Sequence, residues 1–212
     1  VGYNSKNAAM KIIVPYRNRP ENLEVFLKEY SEFDILIVEQ EERKLFNRGK
    51  LMNIGFNECK DDIVCFHDVD LIAENKNIYN QYVEGAIHLS GLCSQFNYKK
   101  PYADLFGGVV MFDALSFLAC NGFSNSYWGW GGEDDDLYKR TILANVKVDM
   151  QLNRYKSLNH EKQPITAMYD SNKNILKQTD KLWQKSGLNS MRYEIIELQN
   201  ISDNIQKIKV NL

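Results

Sequence analysis

The 212-residue chain has few of the residues from which soft metal and redox sites are usually built: three histidines and four cysteines, with no Cys-x-x-Cys spacing. That excludes a zinc site made of its cysteines, and the thiols are expected to be reduced and mostly buried. No run approaches the roughly 18 apolar residues that cross a bilayer, so no membrane span is expected. The opening Val1-Gly-Tyr-Asn-Ser5 lacks the basic and apolar regions of a signal peptide. Neither sign of charge dominates: a formal charge of −2 provides no broad positive field for nucleic acid. Phosphate recognition must therefore be local. Linkers rich in Pro, Gly or Ser and internal repeats are also missing, so one domain over 1–212 is expected.

What is present is enough apolar material for a core, 44% hydrophobic and 12% aromatic. Lys11-Ile-Ile-Val-Pro15, Asp34-Ile-Leu-Ile-Val-Glu39 and Asp62-Ile-Val-Cys-Phe66 are short β-branched runs that read as buried parallel strands. Between them, Leu23, Phe26, Leu27 and Tyr30 share one helix face, as do Leu51, Ile54 and Gly55. This alternation predicts an open α/β sheet, whose ligands sit outside the carboxyl ends of the strands. Two arginines and two carboxylates, from Tyr16–Arg19 and His67–Asp70, should meet at that rim. Further on, Phe106–Phe112 reads as a strand entered through paired glycines, with helices over 114–121 and 134–144. The stretch 153–185 reads as a long polar loop with one helical turn, and Met191–Leu198 with Ile208–Leu212 as a terminal hairpin.

Two motifs carry chemistry. Asp68-Val69-Asp70 places two carboxylates two apart, on one side if the strand stays extended, which suits a hard divalent cation with diphosphate oxygens. A strand that simply turns at an Asp pair is the competing reading. Trp128-Gly-Trp130-Gly131-Gly132-Glu133-Asp134-Asp135-Asp136 is harder to ascribe to packing. Acids in a first helical turn favour the macrodipole, which accounts for one or two of the four. Glycines that admit a ligand close to the backbone and aromatic faces that offer a sugar platform account for the rest.

Pro15-Tyr-Arg-Asn-Arg19, Phe46-Asn-Arg48-Gly-Lys50, Asp68-Val-Asp70-Leu71, Phe106-Gly-Gly108 and Tyr127–Asp136 follow one another in an order, and at spacings, that resemble the β-1,4-galactosyltransferases. The resemblance covers about residues 11–160. It implies a GT-A-like α/β fold with a mostly parallel central sheet, a nucleotide-binding half (about 11–70) and an acceptor-binding and catalytic half (about 100–190). It implies an inverting, Mn²⁺-dependent transferase moving Gal or GalNAc from a UDP-sugar to a glycan hydroxyl. The donor would be held by Pro15, Arg17, Arg19, Phe46, Arg48, Asp68, Val69, Leu105, Gly108 and Trp130. Asp134 would be the base, Glu133 and Asp135 would hold the acceptor beside Tyr102, Gly131 and Gly132, and Asp70 would hold the metal.

Three departures matter. The family's later metal-ligand motif is matched here by Ser157-Leu-Asn-His160, making His160 the expected second ligand; His67 is nearer the acids, but alternation turns it away. Leu105 stands where galactose-restricted members carry a Tyr, which implies room for an N-acetyl group and a UDP-GalNAc donor beside UDP-Gal. The Arg-Phe pair that receives an acceptor N-acetyl group is missing near Asn172–Leu176, so the acceptor need not be GlcNAc. The expected location is the cytoplasm for a microbial enzyme, or the Golgi lumen if an upstream anchor has been removed. A sugar-binding module would not need Arg17, Arg19, Arg48 and the acid triplet. A metal-dependent nucleotide-sugar hydrolase would want a second cluster of His and Asp.

Overall fold

The computed structural model describes residues 10–59, 61–159 and 168–212. The first half alternates as the sequence predicts: β1 Met10–Tyr16, α1 Pro20–Glu29, β2 Asp34–Gln40, α2 Arg48–Glu58 and β3 Ile63–His67. β1 lies between β2 and β3 and is parallel to both, with Ile12 opposite Ile35 on one side and Cys65 on the other. A strand with neighbours on both edges and helices on both faces has no exposed side, so its run is apolar without alternation. α1 starts with Pro20 at its first turn, where a missing N–H costs nothing, and buries Phe26. α2 is capped by Asn47, whose side chain accepts from Lys50 N–H. It lies so close to β1 that a Cβ on Gly55 would sit 2.3 Å from the Ile13 side chain. Only glycine fits there.

The second half adds β4 Leu71–Ala73, β5 Ala86–His88, β6 Leu92–Cys93, β7 Val109–Asp113, α3 Ala114–Ala119, α4 Glu133–Leu143, β8 Val148–Met150 and β9 Arg154–Ser157. α5 Met168–Leu176, α6 Thr179–Leu182, β10 Glu194–Ser202 and β11 Ile205–Asn211 complete the chain. Eight strands form one sheet in the order β10-β11-β2-β1-β3-β7-β5-β8, and β4-β9-β6 form a small second sheet. The large sheet is parallel across β11-β2-β1-β3 and antiparallel where β7 joins β3 and β5. One apolar layer gathers Phe26, Tyr30, Ile35 and Leu89, the other Leu51, Phe66, Phe112 and Phe117. No described helix is long and apolar enough to cross a membrane.

Three sequence expectations are corrected. The stretch 153–185 holds more than a long loop with one helical turn: its described part contains β9, α5 and α6. α5 sets Met168, Tyr169, Ile175 and Leu176 at helical spacing around its one fully buried residue, the polar Asn172. The strand expected from Phe106 begins at Val109, after Gly108 turns the backbone through φ +88°. The Asp68–Asp70 triplet is not extended. β3 ends at His67 and the chain turns, with Leu71 N–H reaching Asp68 O at 3.3 Å, so the two acids find different partners. The terminal hairpin is present, with two bulges in β10.

Candidate active site

The carboxyl ends of β1 and β3, the start of α2 and the start of α4 converge on a cleft of about 1180 Å³. It is lined on one side by Pro15, Arg17, Arg19, Phe46, Arg48, Asp68, Val69 and Asp70. Tyr102, Leu105, Gly108, Trp130, Gly131, Gly132, Glu133, Asp134 and Asp135 line it on the other. Every site residue expected from the sequence is in this one cleft except His160, which lies outside the described residues.

Arg48 joins the two sides. Its Nε donates to Asp68 Oδ1 at 2.7 Å, one terminal nitrogen forms a short bond to Asp134 Oδ1, and the same nitrogen lies 3.6 Å from Glu133 Oε1. The helical start of α2 delivers this guanidinium to the rim, because Asn47 fixes the first turn by also donating to Asn125 O at 2.9 Å. Burial works against the charge on Arg48, but the three carboxylates outweigh it and hold its pKa above the ordinary guanidinium value. Burial, then the neighbouring Asp134 charge, pushes Glu133 up to about 8, with Arg48 opposing. Burial likewise raises Asp134, again against Arg48. Glu133 therefore tends to hold a proton at neutral pH, and Asp134 is a stronger base than a solvated carboxylate.

Around Arg48 the other cations are placed separately. Arg19 pairs with Asp70 Oδ2 at 3.2 Å, and Arg17 donates to Lys44 O at 2.7 Å with its guanidinium 5.2 Å from the Phe46 ring centre. The four acids of α4 divide. Tyr102 O–H donates to Asp135 Oδ1 at 2.9 Å; burial, and then this bond, raises the phenol. Asp136 faces away from the cleft: it pairs with Arg140 at 2.6 Å, both side chains 1% exposed, and accepts from Thr179 and Tyr127. Gly132, at φ +97°, begins α4 in a backbone conformation that side chains resist, and a Cβ there would meet the Tyr127 ring at 2.9 Å.

Trp130 is 54% exposed and stacks on Tyr169 of α5 with ring centres 5.5 Å apart. Buried Asn172 donates to Trp128 O at 3.1 Å and Trp130 O at 3.4 Å. Tyr169, Lys173 and Leu176 line the cleft as well. The sequence reading did not include them, although Tyr169, Asn172 and Leu176 at i, i+3 and i+7 share a helix face.

Asp70 offers a hard carboxylate oxygen of the kind a divalent cation takes. Among the described residues no three His, Cys, Asp or Glu side chains gather as a metal cage. His160, the expected second ligand, lies outside the described residues, and oxygens of a bound diphosphate commonly complete the shell of such an ion. The donor set fits that role. His67 does not join it: its ring is fully buried and bonded to Tyr79.

Two family models match the chain: the N-terminal region of glycosyl transferase group 7 over residues 4–82, and a model described as the N-terminal domain of galactosyltransferase over 87–163. Human β-1,4-galactosyltransferase 4 is 35% identical over 205 residues, covering 89% of this chain and 59% of the relative. The chain spans about half to three-fifths of the length of the curated relatives it matches. The crystallised catalytic domain of Drosophila β-1,4-galactosyltransferase 7, in complex with xylobiose, superposes with a TM-score of 0.77 at 26% identity, covering 96% of this chain and 93% of that one. A mutant of the same Drosophila enzyme in complex with manganese, UDP-Gal and xylobiose gives 0.75 at 28% with the same coverage. The fold is thus the GT-A glycosyltransferase fold, and with the two models together matching residues 4–82 and 87–163, most of the chain, it belongs to the β-1,4-galactosyltransferase family.

Proposed function

We propose that the cleft transfers galactose or N-acetylgalactosamine from a UDP-sugar to a carbohydrate hydroxyl, with inversion and formation of a β-1,4-type linkage. The observation that carries this is Arg48, which ties Asp68 on the nucleotide side to Asp134 on the acceptor side within one cleft. Arg17, Arg19 and Phe46 would bind the nucleotide, Arg48 would balance the carboxylates around it, and Asp70 would hold a divalent cation. A Mn²⁺ ion, when bound, supplies positive charge to the diphosphate as it leaves. Asp134 would take the proton from the acceptor hydroxyl as that oxygen attacks the anomeric carbon from the face opposite the diphosphate. Glu133, Asp135 and Tyr102 would orient the acceptor, and Trp130 on Tyr169 would cover a sugar face.

Leu105, on the donor wall, leaves more room than the tyrosine of galactose-restricted members, which favours UDP-GalNAc over UDP-Gal. For the acceptor, the Drosophila relative's complexes with xylobiose support a xylose-type sugar, in keeping with the missing Arg-Phe pair. The test is UDP release with Mn²⁺, using UDP-Gal, UDP-GalNAc and UDP-Glc against xylobiose and GlcNAc. Acceptor-dependent release is expected, lowered about 10²- to 10⁴-fold in Asp134→Asn. Equal rates in that variant would refute the base, and release that ignores the acceptor would indicate a hydrolase. Leu105→Tyr should shift preference toward UDP-Gal; an unchanged preference refutes the donor assignment.

A further inference from the structure

Beneath the Asp68–Asp70 turn lies a polar cluster that the proposed chemistry does not use. His67, Tyr30, Tyr79 and Tyr155 are all at most 3% exposed, in a place where apolar side chains would fill the same volume. His67 Nδ1 lies 2.9 Å from Asp68 O, and its Nε2 lies 2.7 Å from the Tyr79 hydroxyl. That hydroxyl is also 3.2 Å from Tyr30 OH and 3.1 Å from Tyr155 OH, and Ala73 N–H donates to Tyr30 OH at 2.8 Å.

The protons of this cluster have one consistent arrangement. A carbonyl oxygen only accepts, so Nδ1 of His67 carries the hydrogen. Burial lowers the imidazole pKa to about 4 and keeps it neutral, so Nε2 is bare and accepts from Tyr79. Tyr79 has then used its one proton, and Tyr30 and Tyr155 must both donate to its oxygen. A fully satisfied buried network of this kind specifies one geometry where a greasy core would allow several.

The cluster joins two segments that meet in the cleft. His67 immediately precedes the Asp68–Asp70 turn. Tyr155 lies on β9, three residues before Leu158, whose N–H donates to Asp70 O at 2.7 Å. β9 also pairs with β4, which leaves that same turn, Ala73 standing opposite Tyr155. We propose that Tyr79 is a positioning residue: by joining His67 to Tyr155 it holds the Asp70 turn and the end of β9 in the register that a divalent cation at Asp70 requires. This rests on the reading of Asp70 as the cation's carboxylate.

The test measures Mn²⁺ affinity directly, by electron paramagnetic resonance of free Mn²⁺ at saturating UDP, with thermal melting alongside. Groups bonded directly to a metal ligand set affinity by about 10- to 100-fold, and Tyr79 acts on Asp70 through the turn, so the lower end of that range applies. Tyr79→Phe, which removes one oxygen, should weaken Mn²⁺ binding about tenfold or more. Tyr155→Phe, which keeps the His67–Tyr79 bond, should weaken it less, about threefold. Ile208→Val, a methyl removed from the core on the opposite face of the sheet, should leave it unchanged. Tyr79→Phe binding within twofold of the parent, at whatever melting temperature, overturns the proposal. If Tyr79→Phe does not fold, Tyr155→Phe decides on the same twofold criterion. A parent that binds no Mn²⁺ refutes the cation reading itself, whereas a parent that binds while the variants bind equally refutes the positioning role alone.

Discussion

Arg48→Met tests whether one guanidinium holds the two sides of the cleft together. Met keeps the aliphatic stem and removes the charge facing Asp68, Asp134 and Glu133. Stripping one partner from a buried ion pair costs about 3–5 kcal/mol. Here water recovers part of that, because the Asp68 and Asp134 side chains are 29% and 25% exposed while Arg48 is 13%. A loss of about 2–4 kcal/mol follows, which in a chain of this size lowers the melting temperature by about 5–15 °C. The pH dependence gives a second handle. Glu133 sits at about 8 in the folded protein against 4.5 when unperturbed, so between these values the folded state binds the extra proton. Stability from this group is therefore highest below pH 4.5 and falls as pH rises toward 8. Without Arg48, Glu133 and Asp134 rise further and the fall steepens. Melting by circular dichroism, without nucleotide or metal, should show the parent–variant gap larger at pH 8 than at pH 5. A variant as stable as the parent at pH 8, or a gap that widens toward acid, would refute this reasoning.

Two further predictions separate scaffold from site. Asp136→Asn leaves Arg140 unpaired in the core, a loss of about 3–5 kcal/mol and about 6–20 °C in melting temperature, with UDP affinity of the folded fraction unchanged by titration calorimetry. A selective loss of UDP affinity at unchanged melting temperature would place Asp136 in the cleft instead. Asn172→Leu removes the donor to Trp128 O and Trp130 O. Two such bonds amount to about 1–3 kcal/mol, so two-substrate kinetics should show the donor KM, which Trp130 serves, raised about tenfold with acceptor KM within twofold. Equal effects on both would mean that α5 does not act through the tryptophan loop.

How much of this was legible in the sequence follows from what each segment packs against. β1, β2 and β3 are buried on both faces, so their residue types announce them, and the ends of β1 and β3 locate the rim where Arg19 meets Asp70. α5 packs on the backbone of the tryptophan loop and not on the apolar core. Its inner face centres on the polar Asn172, but Met168, Tyr169, Ile175 and Leu176 flank it with an apolar period as marked as that of α1, so the helix was legible in the sequence even though its buried contact was not. The Asp68–Asp70 geometry was misread. Alternation assumes that the strand continues, but the ladder with β7 ends at Asp68 N–H to Gly108 O, 3.1 Å, where Gly108 leaves the strand at φ +88° and Leu71 N–H closes a turn on Asp68 O, a junction 40 residues apart in the chain that no local pattern encodes.

The run Glu133–Asp136 shows how a crowded charge motif becomes tolerable. Successive residues of a helix are separated by about 100°, so four adjacent acids cannot all face one ligand. Glu133 and Asp136, three apart, both point inward, and each meets its own arginine: Arg48 at the cleft, Arg140 a turn deeper. Asp134 and Asp135 stay half-buried at the mouth, where Arg48 and Tyr102 reach them. The two arginines come from different elements, α2 and α4 itself, so the repulsion that makes the motif improbable as packing is resolved only in the folded chain. Only three of the four acids then border the cleft. Asp136 belongs to the scaffold, and its arginine, by donating to Gly122 O at 3.0 Å, ties α4 to the turn after α3 and fixes the angle at which the other three acids enter.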